Sequence, residues 1–127
     1  MNDQTSSKTV YIVDDEEVIA TTLAMILRTR GIEVAHFTNP VDALKAAQAH
    51  APNLLISDVM LPGMTGIDLA LKVCELWPDC RILLLSGQAT AIIDTLGRIH
   101  RAGHVFEVLA KPVHPLAVID AMHRLLD

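Results

Sequence analysis

"VYIVDDEEVI", Val10 to Ile19, sets a run of β-branched and aromatic residues directly against four consecutive acids, Asp14, Asp15, Glu16 and Glu17. The segment "TVYIV" (9–13) has the composition of a strand buried on both faces, as strands of a parallel sheet are. Glu17 to Arg30 then reads as a helix, with Ile19, Leu23, Ile26 and Leu27 on its inner stripe and Gly31 at the C-terminal stop. Strand followed at once by helix is the start of a βα unit. Acids at a helix start are favoured by the macrodipole at ~0.3–1 kcal/mol each. That suffices for Glu16 and Glu17, but Asp14 and Asp15 ask for something more.

The rest of the chain repeats the unit. "IEVAHF" (32–37) alternates like a strand, and Asn39-Pro40 places an N-cap before a proline at the first helical position, with Asp42 in the first turn. That helix runs to about His50 and ends before Pro52. "NLLIS" (53–57) is a short apolar strand bounded by Asp58. Pro62, Gly63 and Gly66 then mark a loop before a helix from about Gly66 to Trp77. "RILLLS" (81–86) is the most apolar strand and is expected to be central. Ala89 to Arg101 reads as a helix weakened by Gly97, and "HVFEVLA" (104–110) as a fifth strand. Lys111-Pro112 leads into a final helix, Pro115 to Leu126, striped by Ile119, Met122 and Leu126.

Composition sets the frame. With 127 residues the chain is expected to be one domain, 1–127, with 1–7 a flexible polar tail. Hydrophobic residues make up 51% and charged ones 20%, which suits strands covered on both faces. No apolar run approaches the ~20 residues needed to cross a bilayer, and "MNDQTSSKT" has no h-region, so no membrane or export role is expected. A net charge of −5 argues against nucleic acid as a direct partner. Cys74 and Cys80 fit neither a disulfide framework nor a CxxC motif, and two free thiols point to the cytoplasm.

Alternating strands and helices imply a parallel sheet with right-handed crossovers and helices on both faces. Sites in such folds lie beyond the carboxyl ends of the strands. Those ends carry Asp14 and Asp15 after the first strand, Asp58 after the third, Ser86 after the fourth and Lys111 after the fifth. Three carboxylates, a hydroxyl and an ammonium therefore converge on one edge.

This constellation resembles the receiver domain of two-component response regulators. The resemblance runs from about Lys8 to Leu126 and rests on "YIVDDEE", "SDVMLPGMTG", "LLLSGQA" and "LAKP", in that order and each at a strand end. It implies a flavodoxin-like (βα)5 fold with strand order 2-1-3-4-5. It also implies that Asp58 accepts a phosphoryl group as a carboxylate nucleophile, in a reaction requiring Mg²⁺. The implied ligands are Asp15, Asp58 and the main-chain carbonyl of Met60, with Asp14 acting through water. Lys111 would pair with Asp58 at rest and with the phosphoryl group afterwards, and the Ser86 hydroxyl would reach another phosphoryl oxygen. The family carries a cis bond at the position of Lys111-Pro112. Catalysis would then be mainly positioning and charge compensation, a self-phosphotransfer and autodephosphorylation rather than turnover of a separate substrate.

Implied partners are a sensor histidine kinase or a histidine phosphotransfer protein. An effector domain or a second copy would meet the surface of the fourth helix, fifth strand and fifth helix. Val18, Thr22 and Met25 form an unusually apolar outer side on the first helix, a candidate docking patch for the phosphohistidine donor. Two departures from the family pattern stand out. Val108 occupies the place of the usual switch Tyr or Phe, and Phe106 lies two residues earlier on the same strand face. His114 stands at the N-cap of the last helix, where Asp or Ser is commoner, and is expected to cap less well. Met60 and Gln88 are the expected tuning positions for the lifetime of the acyl phosphate. A phosphorylation-independent pseudo-receiver is the main alternative. An Mg²⁺-dependent aspartyl-phosphate hydrolase of the haloacid dehalogenase type is a more distant one, since its nucleophile belongs to a DxD on the first strand. The stimulus, the kinase, the output and whether the chain stands alone are not encoded legibly.

Overall fold

In a computed structural model, residues 8–87, 97, 99, 100, 103 and 106–127 are described. Five strands form one parallel sheet, ordered β2-β1-β3-β4-β5. They are β1 (Thr9–Val13), β2 (Glu33–Phe37), β3 (Leu54–Asp58), β4 (Arg81–Ser86) and β5 (Glu107–Ala110). Helices α1 (Glu17–Arg28), α2 (Pro40–Ala49), α3 (Gly66–Leu76) and a C-terminal helix (Pro115–Leu126) connect or follow them. Of the expected helix over 89–101 only residues 97, 99 and 100 are described, in helical conformation; Gln88, His104 and the 1–7 tail lie outside the described residues.

The period-two pattern of the strands sorts the core into two layers. Val10, Ile12, Ile56, Leu83 and Leu85 face Ala20, Leu23, Ala24 and Leu27 of α1 and Val118, Ile119 and Met122 of the C-terminal helix. Tyr11, Val13, Leu55, Ile82 and Leu84 face Ala43 and Ala47 of α2 and Leu69, Ala70 and Val73 of α3. Both faces of β1, β3 and β4 are thus covered, which is why these segments read as continuous apolar runs. β3, not β4, is the middle strand. Apolarity reports burial on both faces, and any interior strand satisfies that, so it does not single out the centre.

The ends of the elements follow local chemistry. α1 stops two residues earlier than expected, and Gly31, at φ +78°, takes the left-handed conformation that closes the turn. Asn39 caps α2 by accepting from the Asp42 N–H at 2.9 Å. Thr65 caps α3 by accepting from the Asp68 N–H. His114, expected to be a poor cap, nonetheless accepts from the Leu116 N–H through Nδ1 at 3.1 Å. Cys74 and Cys80 are free and buried. Burial, with the neighbouring Cys74 adding to it, pushes the Cys80 thiol up to about 12, so it stays protonated.

The His114 ring satisfies one of the donors that a helix start leaves open. Replacing His114 with Ala should lower stability by about 0.5–2 kcal/mol, measured by urea unfolding, while His114→Asp should restore it. Equal stability of all three proteins would show that the ring contributes nothing.

Candidate functional site

The register of the sheet aligns the ends of its strands. Val13 lies beside Ser57, Asp58 beside Leu85, and Ser86 beside Ala110. Asp14 and Asp58 are therefore level on adjacent strands, and Lys111 follows immediately past β5. Backbone bonds carry the ladder one residue beyond the strands: Asp14 N–H to the Phe37 carbonyl at 3.0 Å, Val59 N–H to Leu85 at 2.9 Å, and Lys111 N–H to Ser86 at 2.7 Å. These bonds fix the origin of each functional side chain before any side-chain contact is made.

The side chains then converge. Lys111 Nζ lies 2.9 Å from Asp58 Oδ2 and 3.5 Å from Asp14 Oδ2. The carboxylates of Asp14, Asp15 and Asp58 each bring an oxygen within 4.8 Å of the others, with Asp14 and Asp58 buried and Asp15 exposed. Asp14 Oδ1 accepts from the Glu16 N–H at 2.9 Å, and Asp58 Oδ1 from the Met60 N–H at 3.2 Å. Ser86 is buried at the end of β4. The Lys111-Pro112 bond is cis.

The electrostatics carry a visible tension. Burial pushes the Asp14 carboxyl above the usual aspartate value; the Glu16 N–H and Lys111 pull it down without fully offsetting that, and the Asp58 charge pushes it further up. Burial also works against the Lys111 ammonium, but its hydrogen bond to Asp58 and the charges of Asp14 and Asp58 outweigh burial, so its pKa lies above the ordinary lysine value. Among the described residues, three carboxylates answered by one ammonium leave two negative charges in a pocket of hard oxygen donors. That donor set suits Mg²⁺, which is typically bound by one or two carboxylates together with waters and phosphate oxygens.

Other expected residues fall in different places. Val18 and Met25 are exposed on α1, at 77% and 61%, and Thr22 is exposed between them. An apolar groove of about 310 Å³ runs beside them, between α1 and the Lys111–Pro115 segment, with Ile26 and Val113 among its walls. Val108 pairs with Leu84, two residues short of the Ser86 level. Phe106 precedes β5 and is buried in the layer that holds Cys74, Cys80 and Ile82. At ~3.3 Å per residue, Phe106 sits roughly 13 Å along the strand from Ala110, the residue beside Ser86. It is a core residue at the far end of β5. Met60 is 65% exposed at the rim.

Two residues at the site carry structural roles the sequence reading did not anticipate. Gly66 reads as a loop signal and the start of a helix, yet a Cβ there would lie 2.0 Å from the Asp58 carbonyl oxygen. Ser57 is fully buried and donates its hydroxyl to that same oxygen at 2.9 Å. The glycine in "PGMTG" was the available signal, but the close approach depends on where α3 begins in space.

The family model described as "Response regulator receiver domain" matches residues 10–123. The chain is 28% identical over 119 residues to the response regulator receiver protein CpdR of Brucella abortus (strain 2308), covering 94% of this chain and 97% of that protein. It is 31% identical over 119 residues to the transcriptional regulatory protein CreB of Escherichia coli (strain K12), covering 94% of this chain but only 51% of CreB. The chain thus spans nearly all of one curated relative and about half of the other. Among solved structures, chemotaxis protein CheY4 of Vibrio cholerae superposes with a TM-score of 0.83 at 27% identity, over 94% of this chain and 99% of that one. Among the described residues no helix is long and apolar enough to cross a membrane.

Asp14 exposes the cost of this arrangement. A carboxyl raised in the fold binds its proton more tightly folded than unfolded. Ionising it therefore costs stability, fully so above its folded pKa and not at all below its unfolded one. Lys111, raised as well, contributes stability that is fully present near neutral pH and lost only as pH rises past its folded pKa. Asp14→Asn should accordingly be more stable than the wild type at neutral pH without divalent ions, by about 1 kcal/mol, with the gap closing as pH falls. Thermal unfolding across pH measures this, and an Asn variant less stable at neutral pH would contradict it.

Proposed function

The chain belongs to the response regulator receiver family, and on that footing we propose that Asp58 is its phosphoacceptor. The observation that supports this most directly is the Asp58–Lys111 contact at 2.9 Å inside a three-carboxylate pocket. One Asp58 oxygen attacks phosphorus as the bond from phosphorus to the donor's nitrogen or oxygen breaks, giving an acyl phosphate. Lys111, released from Asp58 Oδ2, pairs with a phosphoryl oxygen, and the Ser86 hydroxyl donates to another. Asp15, Asp58 and the Met60 carbonyl, with Asp14 through water, would hold Mg²⁺. When bound, Mg²⁺ supplies positive charge against the incoming phosphoryl oxygens. Asp14 and Asp58 are held rigidly by the sheet, so the donors need little reorganisation as charge moves.

A cytoplasmic histidine kinase or phosphotransfer protein is the proposed donor. It would dock its helices on Val18, Thr22 and Met25 beside the groove that ends at Lys111. Output would pass through Ser86 to an effector, a partner or a second copy. Because Phe106 is packed at the far end of β5 and Val108 replaces the usual aromatic, the relay depends on backbone and loop movement around Ser86 and Lys111. Met60, exposed and without a side-chain donor, fits a long-lived acyl phosphate, and Gln88 is the second proposed tuning position.

Incubation with Mg²⁺ and a small acyl phosphate, followed by intact mass, should show one phosphoryl adduct that is absent in Asp58→Asn. No adduct on the wild type would favour the pseudo-receiver, and rapid multiple turnover the hydrolase. Charge substitution at Val18 or Met25 should slow transfer from the protein donor at least tenfold, as loss of an interface anchor does, while leaving the small-donor rate unchanged. Equal slowing with both donors would refute docking at this patch.

A further inference from the structure

We propose that Ser57 is a positioning residue for Asp58: its hydroxyl, with the bare Cα of Gly66, clamps the Asp58–Val59 peptide and so sets the geometry of the cation-binding pocket. Ser57 points to the α3 side of the sheet, opposite to the Asp58 carboxylate, as alternation along a strand requires. Its Oγ donates to the Asp58 carbonyl at 2.9 Å, and the residue is fully buried. From the other side α3 presses its first residue against the same carbonyl. A Cβ at Gly66 would lie 2.0 Å from that oxygen, 2.8 Å from its carbon and 3.0 Å from Ser57 Oγ. The Gly66 N–H meanwhile donates to the Val59 carbonyl at 2.8 Å, and the Val59 N–H to Leu85 at 2.9 Å. The peptide after Asp58 is therefore held at its oxygen, its nitrogen and the next carbonyl.

That peptide governs the site in two ways. It leads to Met60, whose N–H reaches back to Asp58 Oδ1 at 3.2 Å. It also sets the origin from which Asp58 Oδ2 meets Lys111 at 2.9 Å. Without the Ser57 hydroxyl, a carbonyl walled in by α3 loses a buried donor. The peptide then turns to find another partner, and both carboxylate oxygens turn with it. The inference rests on the reading of this pocket as a divalent-cation site.

The test is titration of the full chain with Mg²⁺ alone, followed by calorimetry or amide chemical shifts, at a temperature where every variant is folded. Ser57→Ala should weaken Mg²⁺ binding about tenfold, the loss expected when a buried carbonyl goes without its donor. Ser57→Thr, which keeps the hydroxyl, should bind within about threefold of the wild type. Ser57→Ala with a lowered melting temperature but unchanged Mg²⁺ affinity would overturn the proposal, because the hydroxyl would then be structural only. Equal weakening in the Ala and Thr variants would also overturn it, by pointing to packing rather than the hydrogen bond. A wild type that does not bind Mg²⁺ would instead bring down the reading of the pocket itself.

Discussion

Among the described residues Lys111 is the one cation paired with the acids Asp14 and Asp58 at the sheet edge, and the electrostatics of that edge follow from the imbalance. Two unit charges 4 Å apart interact by ~4 kcal/mol at an effective dielectric near 20. The repulsions among three carboxylates are thus comparable to everything one ammonium can offer. Exposure of Asp15 softens its share through solvent, whereas Asp14 and Asp58 are buried and keep theirs. Burial raises the Asp14 carboxyl, with the Asp58 charge adding to it, while the hydrogen bond to Asp58 and the charges of Asp14 and Asp58 raise the Lys111 ammonium against its own burial.

A fold tolerates such a cluster only if the scaffold beneath is stiff. Here Asp58 ends β3, Asp14 and Lys111 each sit one residue past a strand, and backbone bonds of 2.7–3.0 Å from the N–H groups of Asp14, Val59 and Lys111 tie these ends back to the neighbouring strands. Two packed layers lie on either side of the sheet. The sheet holds the strands against splaying, and the three carboxylates at its edge offer a donor set that fits a bound cation.

Most of this was legible in the sequence because it is carried by residue type and order. Apolar runs bounded by turn residues gave the strands, and Asp14, Asp15, Asp58, Ser86 and Lys111 each follow one. The less legible parts depend on distances between elements remote in sequence. Gly66 is legible as a loop glycine at a helix start, but its close approach to the Asp58 carbonyl depends on where α3 begins in space. Ser57 looked like a strand residue that happened to be polar. Phe106 shares a strand face with Val108, as period two requires, but alternation says nothing of how far along the strand a side chain lies from Ser86. The cap that His114 makes was less legible for a related reason: a residue-type preference does not show that Nδ1 is within reach of the Leu116 N–H.

The central claim is that the repulsion at this edge is matched to a divalent cation, and thermal unfolding with and without Mg²⁺ tests it most directly. Wild-type protein should gain stability with the logarithm of Mg²⁺ concentration, reaching about 2.7 kcal/mol at a hundredfold excess over the dissociation constant. Asp15→Asn should gain far less under the same conditions. A wild-type stability indifferent to Mg²⁺, or an Asp15→Asn protein that responds just as strongly, would contradict the account.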